Sequence, residues 1–128
     1  MSNWVIDSSA ILAFLNREPG QNRVREILSE GAVVSTVNQS EIVSKLLESG
    51  VPEVEISLIF SYLDLKIVNF EEQAAWETAR LRSITKTIGL SLGDRACLGL
   101  ARQLQLPVAT ADKIWAKLTI GIAIEVIR

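Results

Sequence analysis

Four carboxylates occupy positions at which α/β proteins build chemistry. Asp7 directly follows the apolar run Trp4-Val5-Ile6, and Asp112 lies just beyond Pro107-Val108-Ala109. Glu41 and Asp94 each stand three residues after a polar residue, Asn38 and Ser91, that could open a helix. The 128 residues include no histidine and a single cysteine, Cys97. Imidazole bases, Ser-His-Asp and Cys-His mechanisms are therefore excluded, as are an internal disulfide and a cysteine-ligated zinc within this chain. What remains is chemistry by carboxylates, hydroxyls, lysine or a hard cation.

Each acid also has a plain structural explanation. Asp7 could cap the first helix, Asn38-x-x-Glu41 and Ser91-x-x-Asp94 have the form of capping boxes, and Asp112 could cap a last helical turn. Taken together they say more, because several carboxylates gathered at one edge repel one another unless a cation neutralises them. Oxygen donors of this kind suit Mg²⁺ or Mn²⁺. Glu71 and Glu72 could reach the same edge, so the pattern alone leaves the ligand set open.

The elements that must position these acids can be read from periodicity. Residues 4–6 form a strand, and Ala10, Ile11, Phe14 and Leu15 mark a helix after it. Glu18-Pro19-Gly20 breaks that helix, and Val24, Ile27 and Leu28 mark a second one ending near Gly31. Residues 32–35 form the next strand. Asn38 or Gln39 is expected to open a helix carrying Ile42, Val43, Leu46 and Leu47, and Ile56, Ile59, Phe60 and Leu63 repeat at helical spacing after Pro52. Residues 65–68 form a strand, Glu71-Glu72 begin a long helix, Ser91 caps another, residues 107–109 and 122–127 are strands, and a helical turn covers 112–117.

Short Val/Ile-rich strands alternating with helices predict one α/β domain over residues 1–128, with a mostly parallel sheet covered on both faces. Ligands in such folds bind at the carboxyl ends of strands. Asp7 and Asp112 fall there directly. Glu41 and Asp94 join them if their helices start at that edge, which for Asp94 requires residues 86–90 to run back up the domain.

Composition sets further bounds. With 48% hydrophobic and 22% charged residues the chain is ordinary globular material. No apolar run approaches the roughly 18 residues of a membrane span, and the first residues lack a basic leader, so a soluble cytoplasmic protein without membrane contact is expected. A net charge of −2 argues against a nucleic-acid-coating protein. A local basic surface is still available, since seven of the 13 basic residues lie between Arg80 and Lys117. Arg95 and Lys113 adjoin two of the acids, either as phosphate contacts or as structural charges. Trp4 and Trp76 are expected in core or interface packing rather than base stacking, and Cys97 as a small buried hydrophobe.

Four segments in order, Val5-Ile6-Asp7-Ser8-Ser9-Ala10, Ser35-x-x-Asn38-x-Ser40-Glu41, Leu90-Ser91-Leu92-Gly93-Asp94-Arg95-Ala96 and Ala109-Thr110-Ala111-Asp112-Lys113-Ile114-Trp115, resemble the acidic blocks of PIN-domain proteins, especially VapC-type toxins. The resemblance covers essentially the whole chain. It implies a five-stranded parallel sheet in the order 3-2-1-4-5 and a Mg²⁺- or Mn²⁺-dependent ribonuclease. It also implies a homodimer held inactive by a small antitoxin protein, and an RNA substrate. On it, Asp7, Glu41, Asp94 and Asp112 carry over as catalytic and metal-binding acids, with Asp7 and Asp94 as the direct ligands, and Thr110 matches a hydroxyl that orients Asp112 or a water. Leu46, Leu47 and the stripe Ile56 to Phe60 exceed what one helix face needs, which suggests a dimer or antitoxin surface, with plain core packing as the default reading.

Other classes fit less well. A receiver module needs its acceptor Asp in mid-chain and a late Lys at a strand end, and haloacid-type phosphatases need Asp-x-Asp, whereas Ser8-Ser9 follow Asp7. A housekeeping nuclease without an antitoxin, or a catalytically silent binding module on the same fold, are the alternatives left standing.

Overall fold

The computed structural model describes residues 2–128. Its strands are β1 (Trp4–Ile6), β2 (Ala32–Ser35), β3 (Lys66–Val68), β4 (Val108–Thr110) and β5 (Ile124–Val126). Its helices are α1 (Ser8–Leu15), α2 (Gln21–Glu30), α3 (Thr36–Glu48), α4 (Glu53–Leu63), α5 (Glu72–Thr85) and α6 (Leu92–Leu104), with a 3₁₀ turn at Lys113–Lys117. All strand pairs are parallel, in the order β3-β2-β1-β4-β5. The chain thus winds outward from β1 to β3, then crosses back to β4 and winds the other way. The reversal lies between β1 and β4, where open α/β sheets leave a crevice at the carboxyl ends of their strands.

Alternation along the strands sorts the core into two layers, because successive side chains point to opposite faces. Ile6, Val34 and Ala109 pack with Ala10, Ile11, Val24, Ile27, Ile42 and Ile56 on the face covered by α1 to α4. Val5, Val33 and Val108 pack with Leu81, Cys97, Leu98 and Trp115 on the face covered by α5, α6 and the 3₁₀ turn. Cys97 is fully buried. The strands are only three or four residues long, so their ends carry much of the geometry. Gly20, at φ +96°, closes the α1–α2 corner against the residue that follows β5, where a Cβ would stand 2.7 Å from the Ile127 carbonyl.

Several boundaries differ from those expected. Helix α3 opens at Thr36, with Ser35 as its N-cap accepting from the Val37 N–H at 3.1 Å, so neither Asn38 nor Gln39 starts it. Strand β4 is shifted one residue onward and ends at Thr110. Strand β5 is shorter than 122–127.

The route to Asp94 is also simpler than the sequence suggested. Ala74 shares a groove with Gln103 and Leu104, Glu77 pairs with Arg102 at 3.1 Å, and Thr78 O accepts from Arg95 Nη1 at 3.3 Å. The contacts advance along α5 as they retreat along α6, so the two helices form an antiparallel hairpin. Residues 86–91 have only to turn. Gly99 makes the pairing close, since a Cβ there would lie 3.1 Å from Thr78 Oγ1.

Among the described residues no helix is long and apolar enough to cross a membrane. Trp76 is 60% exposed beneath Arg80 rather than packed in the core, while Trp115 is fully buried. Leu46, Ile56 and Leu63 are core residues. The apolar side chains left outward on α4 are Val54, Leu58 and Tyr62, spaced four apart, with Leu47 exposed on α3.

Candidate active site

Asp7 is the buried centre of the site. It is the N-cap of α1 by backbone geometry, yet its side chain makes no capping hydrogen bond. Instead Oδ2 accepts from Ser9 Oγ at 2.6 Å and from Thr110 Oγ1 at 2.9 Å. The capping explanation for Asp7 therefore fails. Each hydroxyl has one proton and spends it on this carboxylate. As acceptors they serve the backbone, Ser9 Oγ for Ala111 N at 3.0 Å and Thr110 Oγ1 for Asp112 N at 3.1 Å. Two hydroxyls thus join β1, α1 and the segment leading to Asp112.

Glu41 lies in the second turn of α3, too far inside the helix to be part of its cap. Its Oε1 accepts from Ser8 Oγ at 2.9 Å and from Asn38 Nδ2 at 2.8 Å. The same Asn38 amide donates to the Gly93 carbonyl at 3.0 Å. Gly93 leaves the Glu41 carboxylate its present place, because a Cβ at this position would overlap it. Asp94 does cap its helix. Ser91 Oγ accepts from Asp94 N at 3.1 Å, and Asp94 Oδ2 accepts from Ser91 N at 3.0 Å. Asp112 Oδ1 accepts from Ile114 N at 3.1 Å, so it too caps, opening the 3₁₀ turn from an exposed position.

These acids act on one another. Burial pushes the Asp7 carboxyl up to about 6, against the pull of Ser9 and Thr110, and the charges of Asp94 and Glu41 push the same way. Asp94 is raised by burial and by repulsion from Asp112 and Glu41, against the pull of Ser91. The structure thus brings Asp7, Glu41, Asp94 and Asp112 to one end of the sheet. Glu71 and Glu72 do not act on Asp7 or Asp94. Among the described residues no ion pair involves any of the four. Arg95, next to Asp94 in sequence, points away to Thr78 on α5. Lys113 is exposed and lines an open cleft with Ser9, Pro19, Asp112 and Arg128.

The donor set suits a hard divalent cation. It offers carboxylate oxygens, with hydroxyls behind them and no nitrogen or sulfur ligand. Among the described residues no group of three or more carboxylates or thiols is arranged to hold a metal ion. That arrangement fits Mg²⁺, which keeps several waters and takes one or two protein carboxylates, rather than an ion that needs an all-protein shell. A separate cleft of about 520 Å³ between α3, α4 and β3 contains Val43, Ile56, Phe60 and Ile67 but none of the four acids.

The site residues visible only in the structure are Ser8, Ser9, Asn38 and Gly93. Their signal in the sequence was proximity to an acid, which small polar residues and glycines share with any turn or helix start.

Comparison with known proteins places this geometry in a family. No curated protein matches the sequence. The fold is similar to that of the DNA-bound VapBC from Salmonella typhimurium, with TM-score 0.74, 21% identity and 98% of each chain covered. It is similar to a toxin-antitoxin complex from Klebsiella pneumoniae, with TM-score 0.75 and 18% identity, covering 93% of this chain and 94% of that one. FitAcB from Neisseria gonorrhoeae aligns at TM-score 0.63 and 23% identity, over 94% and 95% of the two chains. The family model described as the PIN domain matches residues 4–120, a span that contains all five strands but the last and all four acids. This chain belongs to the PIN-domain family.

Proposed function

We propose that this protein is a divalent-metal-dependent endoribonuclease that hydrolyses RNA phosphodiester bonds, and that it is the toxin of a toxin–antitoxin pair. The observation that carries the reading is the gathering of Asp7, Glu41, Asp94 and Asp112 at the carboxyl end of the sheet, with no cationic side chain among the described residues paired to any of them. Membership in the PIN-domain family and fold likeness to proteins described as toxin–antitoxin complexes support the nuclease and toxin parts.

Asp7 and Asp94 would hold the ion, with Glu41 and Asp112 completing its surroundings directly or through water. When bound, Mg²⁺ or Mn²⁺ supplies a Lewis acid for the phosphoryl and leaving oxygens and lowers the pKa of attached water. The chain's own residues do the rest. Ser9 and Thr110 fix one Asp7 oxygen and leave Oδ1 free of them, while Ser8 fixes one Glu41 oxygen. Thr110 also holds the Asp112 backbone, so its hydroxyl spans both acids. Lys113 flanks the cleft beside Asp112, which Arg128, paired with Glu18 at 2.6 Å, also lines, and a polyanionic strand there gains a phosphate contact from Lys113.

The partner part of the reading rests on α4. Val54, Leu58 and Tyr62 make an outward apolar stripe suited to a second copy of the chain or to an antitoxin.

The test is to incubate the purified chain with single-stranded RNA and with duplex DNA in Mg²⁺, in Mn²⁺ and in excess chelator. RNA should be cut in either metal, chelation should stop the reaction, and duplex DNA should survive. RNA cleavage undiminished in chelator would reject the metal-dependent mechanism.

A further inference from the structure

Asn38 is fully buried at the third position of α3, within the first turn but past the cap that Ser35 already provides. A short amide is a poor helix residue, and burying one costs free energy unless its polar atoms are paired. Here only half of it is paired. Nδ2 donates twice, to Glu41 Oε1 at 2.8 Å and to the Gly93 carbonyl at 3.0 Å. Oδ1 is buried without a partner. The amide cannot flip to relieve this, because Oδ1 would then face two acceptor oxygens.

Both partners bear on the acids. Glu41 is one turn along the same helix face, and Gly93 immediately precedes Asp94 in the first turn of α6. The amide therefore bridges α3 to α6 at the point where each helix presents its carboxylate. The missing Cβ of Gly93 leaves room for Glu41, and the Asn38 amide holds the carboxylate in that room. Ser8 and Asn38 both bond Oε1, and Oε2 is the oxygen that lies over Gly93.

We propose that Asn38 is a positioning residue, whose side-chain amide orients Glu41 and sets the separation between Glu41 and the start of α6 that carries Asp94. The proposal rests on the metal-nuclease reading. Serine could donate only one proton from this position, and glutamine would place the amide one methylene too far along, so asparagine is the side chain that makes both bonds.

The experiment is a Mn²⁺ titration of the full chain, followed by the loss of the free-ion paramagnetic resonance signal. It is applied to wild type, Asn38→Ala, Asn38→Ser, Glu41→Gln and the Asn38→Ala/Glu41→Gln double variant. Asn38→Ala should weaken Mn²⁺ binding by about 10- to 100-fold, the range for removing a group that orients a ligand. On the Glu41→Gln background the same change should have a clearly smaller effect, the remainder passing through Gly93 to Asp94, because a residue that acts through another is non-additive with it. In RNA cleavage, kcat should fall in Asn38→Ala while KM changes by less than about threefold. Should the alanine variant not fold, Asn38→Ser, which retains one proton, carries the same comparison with a smaller loss.

Equal weakening on both backgrounds overturns the proposal, as does wild-type Mn²⁺ affinity in Asn38→Ala or, if that variant does not fold, in Asn38→Ser. Wild type that binds no Mn²⁺ overturns the nuclease reading together with it, so the two failures are distinguishable.

Discussion

Thr110 donates from Oγ1 to Asp7 Oδ2 at 2.9 Å, joining residues 103 positions apart across the seam between β4 and β1. The two strands are adjacent and parallel, with Ile6 beside Ala109, so the residues that follow each strand emerge side by side. This seam is where the winding of the sheet reverses. The bond is thus a consequence of topology, and it puts a hydroxyl against the most buried acid of the site.

Thr110→Val should therefore lower RNA cleavage by about 10- to 100-fold, as for other groups that orient a metal-binding side chain. Stability should fall by about 1 kcal/mol, because Asp7 loses a donor and Asp112 N loses an acceptor in a buried setting. Thr110→Ser keeps both bonds and should keep most of the activity. Single-turnover cleavage and thermal melting of the two variants check this, and equal loss in both would refute the hydroxyl's role.

The elevation of Asp7 has a defined sign in stability. Its folded pKa of about 6 lies above the ordinary 3.8, so the folded state binds the proton more tightly than the unfolded chain does. In metal-free buffer, stability should rise as pH falls from 7 through 6 towards 4, by up to about 3 kcal/mol. Asp94, also raised, adds to the same trend from a more solvated position. Asp7→Asn should be more stable than wild type at pH 7 and lose most of the slope. Urea unfolding of both proteins at pH 7, 6 and 5 measures it, and a wild-type stability that falls over that interval would contradict the assignment.

Much of this fold was legible because its signals are local. Val5-Ile6, Val33-Val34 and Val108-Ala109 are short apolar runs between turn residues, and helical spacing marks α2, α4 and α6 clearly. What could not be read was set by contacts distant in sequence. Helix α3 was expected to open at Asn38 or Gln39, yet Ser35 caps it and frees Asn38 to bond Gly93, 55 positions away. Strand β4 runs to Thr110 because β5 pairs there, Thr110 beside Val126. Leu46 and Leu47 look alike in sequence, but one turns into the core and the other out. The four acids were legible as a set, whereas the capping alternatives needed coordinates: they fail for Asp7 and Glu41 and hold for Asp94 and Asp112 alongside the site.

Gly93→Ala should abolish cleavage, since the added methyl overlaps the Glu41 carboxylate and forces it out of its place. The variant should lose about 1 kcal/mol or less, the low end of the cost of overpacking, because the atoms displaced are the end of a flexible side chain. Adding Glu41→Ala should restore much of the stability and none of the activity. Melting curves and cleavage assays on the single and double variants decide it, and a fully active Gly93→Ala would contradict the packing argument.

For the outward face of α4, Leu58→Glu or Tyr62→Glu should weaken self-association or antitoxin binding while leaving the acids untouched. Expression of the chain alone should arrest growth, and co-expression with its neighbouring gene product should relieve the arrest. Sedimentation of the purified variants and growth curves check both parts. Unimpaired growth on strong expression of the wild type would remove the toxin reading and leave a housekeeping nuclease or a binding module.

The central claim is that Asp7 serves a metal-dependent cleavage of RNA, and the most direct measurement is cleavage by wild type and Asp7→Asn at matched concentration in Mg²⁺, with melting temperature recorded on the same samples. Wild type should cleave, Asp7→Asn should show no detectable cleavage, and the variant should be at least as heat-stable as wild type in metal-free buffer at pH 7. An active Asp7→Asn, or one inactive only because it has unfolded, would contradict it.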